Sequence, residues 1–256
     1  NSNTQAKYNY ISQDLVTALR ARIALWTKDY DTAISASTAL ISSNKYPLIN
    51  DGEAFRAMWV TDYGTEVIWQ IYTAAPDELC STNGTMFWGQ YKNGDPQVMD
   101  FIPSQSLIDL YTDGDKDIRF TSFFAPYHLA LSNGSEADVY VFDKYPGNPD
   151  IYSQTIVDNH YINKPKPFRI AEQYLIAAEA YAAKNDVTNA SKYLNDLCRT
   201  RIAEYTDKSY TNATILTAIQ NERHKELVGE GFQLIDLKRW NLGIDRANAY
   251  QESTMV

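Results

Sequence analysis

At 256 residues the chain is long enough for one large domain or two small ones, and 44% hydrophobic content suits a buried core. Lys and Arg number 23 against 32 Asp and Glu, a formal charge of -9 with no basic run, which excludes nucleic acid as a partner because phosphate neutralisation needs a cationic face. No stretch approaches the roughly 18 consecutive apolar residues of a membrane-spanning helix, and the opening Asn1, Ser2, Asn3, Thr4 lacks the charged-then-apolar pattern of a signal peptide.

Along the chain, Ile11, Leu15, Leu19, Ile23 and Trp26 recur at spacings of four, four, four and three, which predicts an amphipathic helix with these residues as its buried stripe. A break at Thr27, Lys28 and Asp29 precedes a second periodic run, Ala33, Ile34, Ser37, Leu40 and Ile41, that ends before Asn44 and Pro47. So short a connection predicts two antiparallel helices. The arrangement recurs downstream, with Ile170, Tyr174, Ala177, Ala178 and Tyr181 on one face and Val187, Ala190, Leu194 and Leu197 on the next. Asp29-Tyr30-Asp31-Thr32-Ala33 aligns with Asp186-Val187-Thr188-Asn189-Ala190, matching the turn and small-residue positions of a tetratricopeptide (TPR) hairpin, although the two copies are not in tandem.

Between the hairpins, residues 66–72 and 138–142 read as short strands, and the interval 73–103 is broken by Pro76, Gly84, Gly89, Gly94 and Pro96. Long irregular segments often carry function, so this insert is where a binding site is sought. Cys80 and Cys198 have no partner spacing and read as two buried free thiols, with a disulfide or a metal site as the alternative. Further on, Ile215, Leu216, Ile219, Leu227 and Val228 mark a third major helix, and residues 232–240 a last short one. Arg223 falls on that apolar stripe and must be paired.

Catalytic patterns are missing. The acidic residues are scattered, with no spacing that fixes a carboxylate pair, and the three histidines, His128, His160 and His224, sit in no HExxH motif. No nucleophile elbow, P-loop or GxGxxG occurs. Residues 113–117 imitate the start of a calcium loop, but Ile118 and Phe124 stand where Gly and a bidentate Glu belong, so a solvated turn with Asp117 near Arg119 is expected. Glu222, Arg223, His224, Lys225 and Glu226 read as ion pairs along a helix surface, extended by Glu230, Asp236 and Arg239. No cofactor or metal is expected.

Residues 168–181, FRIAEQYLIAAEAY, resemble the R-x-A-E-x-Y-L-x-x-A-E-A segment of the SusD/RagB family. Three further stretches follow in the family's order: LNDLCRTR at 194–201, NERHKEL at 221–227 and EGFQLIDLKRW at 230–240. The chain departs from the family pattern at His224, where Arg is usual, and corresponds to the C-terminal portion of the usual family length, without the N-terminal half and the lipoprotein cysteine. The resemblance implies a mainly α fold of TPR-like helical hairpins, a SusD-like α-α superhelix with a loop-rich insert. The whole chain, 1–256, is then a single domain, with a hairpin at 6–48, the insert at 49–165, and a hairpin plus C-terminal helices at 166–246.

The same resemblance implies a non-enzymatic protein, lipid-anchored in its full-length form on the outer face of the outer membrane. It would capture oligosaccharide or polysaccharide for import through a SusC-like TonB-dependent transporter. A TPR-like protein-interaction scaffold and a binder of peptides or other nutrients are the alternatives. Carried onto this chain, sugar recognition by aromatic stacking and amide hydrogen bonds points to Phe87, Trp88, Gln90, Tyr91 and Asn93, with Tyr127 further off. Trp88 lies in a Gly-rich loop off any helical stripe and either stacks on ligand or plugs the core. Trp26, Trp69 and Trp240 are expected in the core, and Trp59 is unassigned.

Overall fold

The computed structural model describes residues 10–72, 90–92, 95–98, 102–130, 136–150 and 163–244. Helices α1 (Gln13–Trp26) and α2 (Tyr30–Ser42) form the first hairpin, and α6 (Ile170–Ala183) and α7 (Val187–Arg201) the second. Between them lie α3 (Gly52–Val60), β1 (Val67–Trp69), β2 (Gln90–Lys92), β3 (Asp95–Val98), α4 (Gln105–Ile108), α5 (Ile118–Phe123), β4 (Phe124–Ala130), β5 (Glu136–Phe142) and β6 (Phe168–Arg169). Helices α8 (Ile215–Leu227) and α9 (Gln233–Arg239) follow.

The two hairpins turn by the same chemistry. Lys28 and Asn185 take left-handed backbones, φ 63° and 62°, which lets the next amide reach back into the helix: Asp29 N donates to Ala24 O at 2.8 Å and Asp186 N to Tyr181 O at 3.0 Å. The same aspartates then cap the second helix, Asp29 Oδ1 accepting from Thr32 N at 3.2 Å and Asp186 Oδ1 from Asn189 N at 3.0 Å. These are TPR-like hairpins, and the fold is mainly α. Helix α6 lies at the centre, packed against α1, α2, α7 and α8. Its alanines Ala171, Ala177, Ala178 and Ala180 are fully buried and let the neighbouring backbones approach.

The buried face of α1 is not the one its periodicity predicts. Leu15 is buried as expected, but Ile11, Leu19 and Ile23 are 79%, 42% and 49% exposed, and the core is filled by Ala18, Ala21, Ala24 and Leu25. Close helix stacking selects the small residues, and no described element covers the larger ones. Leu216 of the third helix is likewise exposed, while Ile215, Ile219, Leu227 and Val228 are buried.

Each predicted strand is present. β1 pairs antiparallel with β6, stapling the insert to the start of α6, while β4 and β5 form a hairpin of their own. The insert's core gathers Phe55, Met58, Trp59, Phe123 and Phe124. Trp59 is fully enclosed, edge-on to Phe123 and Tyr145 at centroid distances of 5.6 and 5.4 Å. Cys198 is a buried free thiol, as expected, and Cys80 lies outside the described residues. Among the described residues no helix is long and apolar enough to cross a membrane.

Candidate functional site

Beneath the insert, the charges read from sequence as a surface ladder turn inward. Glu226 is fully buried and accepts from Arg201 Nε at 3.0 Å, Arg169 Nη1 at 2.9 Å and Arg119 Nη1 at 3.2 Å. Glu66, just before β1, pairs with Arg201 at 2.8 Å and with Arg169 at 3.3 Å. Lys144, also buried, donates to Glu230 Oε1 and to Val228 O at 2.8 Å, with its ammonium 4.1 Å from the Phe123 ring centroid. The hub therefore joins α5, α7, α8 and the strand β6 through groups far apart in sequence.

Two expectations are corrected here. Asp117 and Arg119 do meet, at 2.7 Å, but both are fully buried rather than part of a solvated turn. The expected extension to Asp236 and Arg239 is present, with Arg223 2.6 Å and Arg239 2.7 Å from Asp236, but Arg223 does not pair with Glu226 along the helix; only Lys225 and Glu222, 2.9 Å apart, form a pair within the cluster. The reason is burial: these side chains face the interior, where an arginine needs a carboxylate from another element.

The electrostatics of the hub are those of a scaffold. Burial pushes the carboxyl of Glu226 up, but Arg201, Arg169 and Arg119 outweigh it and hold the group well below the usual range. Burial likewise opposes ionisation of Glu222, yet Arg119 and Lys225 bring it down to about 2. Lys144 is lowered to about 8 by burial, against the pull of Glu230. Among the described carboxylates displaced from their ordinary range, only Asp143 moves up, through burial, and Arg56 binds it. No His, Cys, Asp and Glu cluster able to hold a metal occurs among the described residues.

Of the residues expected to contact ligand, Phe87, Trp88 and Asn93 lie outside the described residues. Gln90 and Tyr91 fall on β2, opposite Val98 and Pro96 of β3. Tyr127 sits half-buried on β4, opposite Val139, in a different two-stranded sheet.

Sequence periodicity does not reveal a recess of about 300 Å³ between the helices, walled by Trp26, Tyr30, Glu179, Asn212, Gln220 and Trp240. Trp26 and Trp240, expected in the core, are half-buried at its walls, as Trp69 is half-buried against Phe168. Glu179 fixes one wall, accepting from Trp240 Nε1 at 2.8 Å and pairing with Arg239.

With this architecture in place, the SusD family profile matches residues 128–255, half of the chain. The chain belongs to the SusD family. A SusD-like protein of Formosa agariphila is 25% identical over 89% of this chain and 49% of its own length. The crystal structure of a SusD superfamily protein from Bacteroides thetaiotaomicron superposes with a TM-score of 0.74 at 26% identity, covering 95% of this chain and 53% of that one. A SusD-like carbohydrate binding protein from Bacteroides vulgatus gives a TM-score of 0.68 at 25% identity, covering 92% and 46%. This SusD-family chain thus spans about half the length of the relatives it matches.

Proposed function

We propose that the protein captures oligosaccharide at the cell surface, without catalysis, for import through a SusC-like TonB-dependent transporter. The observation that carries this reading is membership of the SusD family, with a structural relative from Bacteroides vulgatus described as carbohydrate binding. The chemistry of the described residues supports binding rather than hydrolysis. A glycosidase needs one carboxylic acid held protonated near neutral pH beside a second carboxylate, whereas Glu222, Glu226 and Glu230 are held ionised by arginines and lysines.

The insert is the proposed capture surface, with Phe87, Trp88, Gln90, Tyr91, Asn93 and Tyr127 as its contacts. Flat aromatic faces suit the C–H faces of sugar rings, and amides suit their hydroxyls. The hub ties the described part of the insert to the helical stack through Glu66, Arg119 and Lys144. Electrophoresis through gels containing a panel of polysaccharides tests the reading. Retardation by at least one, weakened by Trp88→Ala, is expected; no retardation by any would remove the glycan reading. Recovery of a TonB-dependent transporter on purification from native membranes tests the import partner, and recovery of a soluble partner instead would favour a TPR-like scaffold.

A further inference from the structure

We infer that the recess between the two hairpins and α8–α9 is a second saccharide site, separate from the insert and holding one or two sugar rings; this rests on the glycan-binding reading above. Its volume of about 300 Å³ is at the lower end of the roughly 300–1,000 Å³ typical of small-molecule sites. That accommodates the end of a chain or a short branch, not a long polymer.

The walls combine the two kinds of group that sugar recognition needs. Tyr30, at the start of α2, Trp240, at the end of α9, and Trp26, at the end of α1, supply aromatic rings. Asn212 and Gln220 supply amides that make no hydrogen bond to another described residue and are therefore available to hydroxyls. Lys28 also lines the recess, exposed and without an acidic partner among the described residues, as a further donor. An apolar gap left by imperfect helix packing would not gather these polar groups around aromatic rings.

The site is also held in shape before any ligand arrives. Glu179 is 6% exposed and anchors both Trp240 and Arg239. Asp236 grips Arg239 from a second side at 2.7 Å, and the guanidinium lies over the Trp240 ring at 4.5 Å. That contact and the Glu179 hydrogen bond together fix the orientation of the indole. Locked aromatic walls of this kind lower the entropic cost of binding.

The test is titration calorimetry of the full chain with cellohexaose, xylohexaose, laminarihexaose and hexagalacturonate. It compares wild type, the Asn212→Ala/Gln220→Ala double variant, and Leu216→Trp, which plugs the recess from an exposed position on its wall. If wild type binds, the double variant is expected to weaken binding about tenfold, the loss of two hydrogen bonds of neutral groups, and Leu216→Trp to abolish binding at this site, with thermal midpoints unchanged. Binding by wild type that both variants leave intact overturns the recess while the glycan reading stands. Absence of binding by wild type to all four overturns both.

Discussion

Arg201 on α7 and Glu226 on α8 are joined by Nε donating to Oε2 at 3.0 Å, with both side chains fully buried. Three arginines converge on that one carboxylate. Removing its charge leaves Arg119, Arg169 and Arg201 short of compensation in a medium where an unpaired ion is costly. Glu226→Gln is therefore expected to destabilise the fold by about 3–5 kcal/mol, read from the midpoint of urea unfolding. Glu204→Gln, which breaks the exposed pair with Lys116, should leave that midpoint where it is.

Stability should respond to pH on two limbs of opposite origin. Glu222 has a folded pKa of about 2 against an ordinary 4.5. Its contribution is complete above 4.5 and is lost as the pH falls through 2, with Glu226 acting in the same direction. Lys144 is lowered from 10.5 to about 8, so its penalty is full below 8 and is relieved as the pH rises toward 10.5. Urea unfolding across pH should show both limbs, the first flattened in Glu222→Gln and the second in Lys144→Met.

Gly64 lies just before β1, where an added Cβ would stand 2.5 Å from Met58 Cγ and 2.8 Å from Met58 Cβ. Met58 is fully enclosed in the insert's core and its Cβ cannot swing aside. Gly64→Ala is expected to cost about 1–3 kcal/mol through overpacking, measurable as a lower thermal midpoint. The further substitution Met58→Ala removes the contacts with Cγ and Sδ but keeps the Cβ at 2.8 Å, so it should relieve the clash only in part while opening a cavity, and the two changes will not be additive.

Cys198 is 3% exposed, and burial pushes its thiol well up. The thiolate is the reactive form, so the residue should be inert while the fold is intact. In a Cys80→Ser background, thiol labelling is expected only after denaturant unfolds the protein. Rapid labelling under native conditions would show that α7 opens locally.

The hairpins were legible because their information is local. Ala33, Leu40, Ala177 and Leu194 follow the helical period, and Asp29 and Asp186 mark both turns by a capping chemistry confined to a few residues. The buried face of α1 was not legible, since period alone does not say that Ala18 and Ala21 face the stack while Leu19 and Ile23 do not. Nor was the direction of the charges: Glu66 and Arg201 are 135 residues apart, a pairing that helix spacing cannot express. The recess was hidden for the same reason, because Tyr30, Glu179, Gln220 and Trp240 come from separate helices. The aromatic loop stood out by composition, and Tyr91 and Tyr127 fall on different two-stranded sheets.

On the proposed function, this SusD-family chain holds a glycan and leaves it intact. Native mass spectrometry of the protein, after prolonged incubation with a defined oligosaccharide of the polysaccharide that retards it, measures both halves at once. The expected result is a complex heavier than the protein by the full mass of the oligosaccharide, with no shorter products in solution. Shortened oligosaccharides released by the protein, or the absence of any complex, would contradict it.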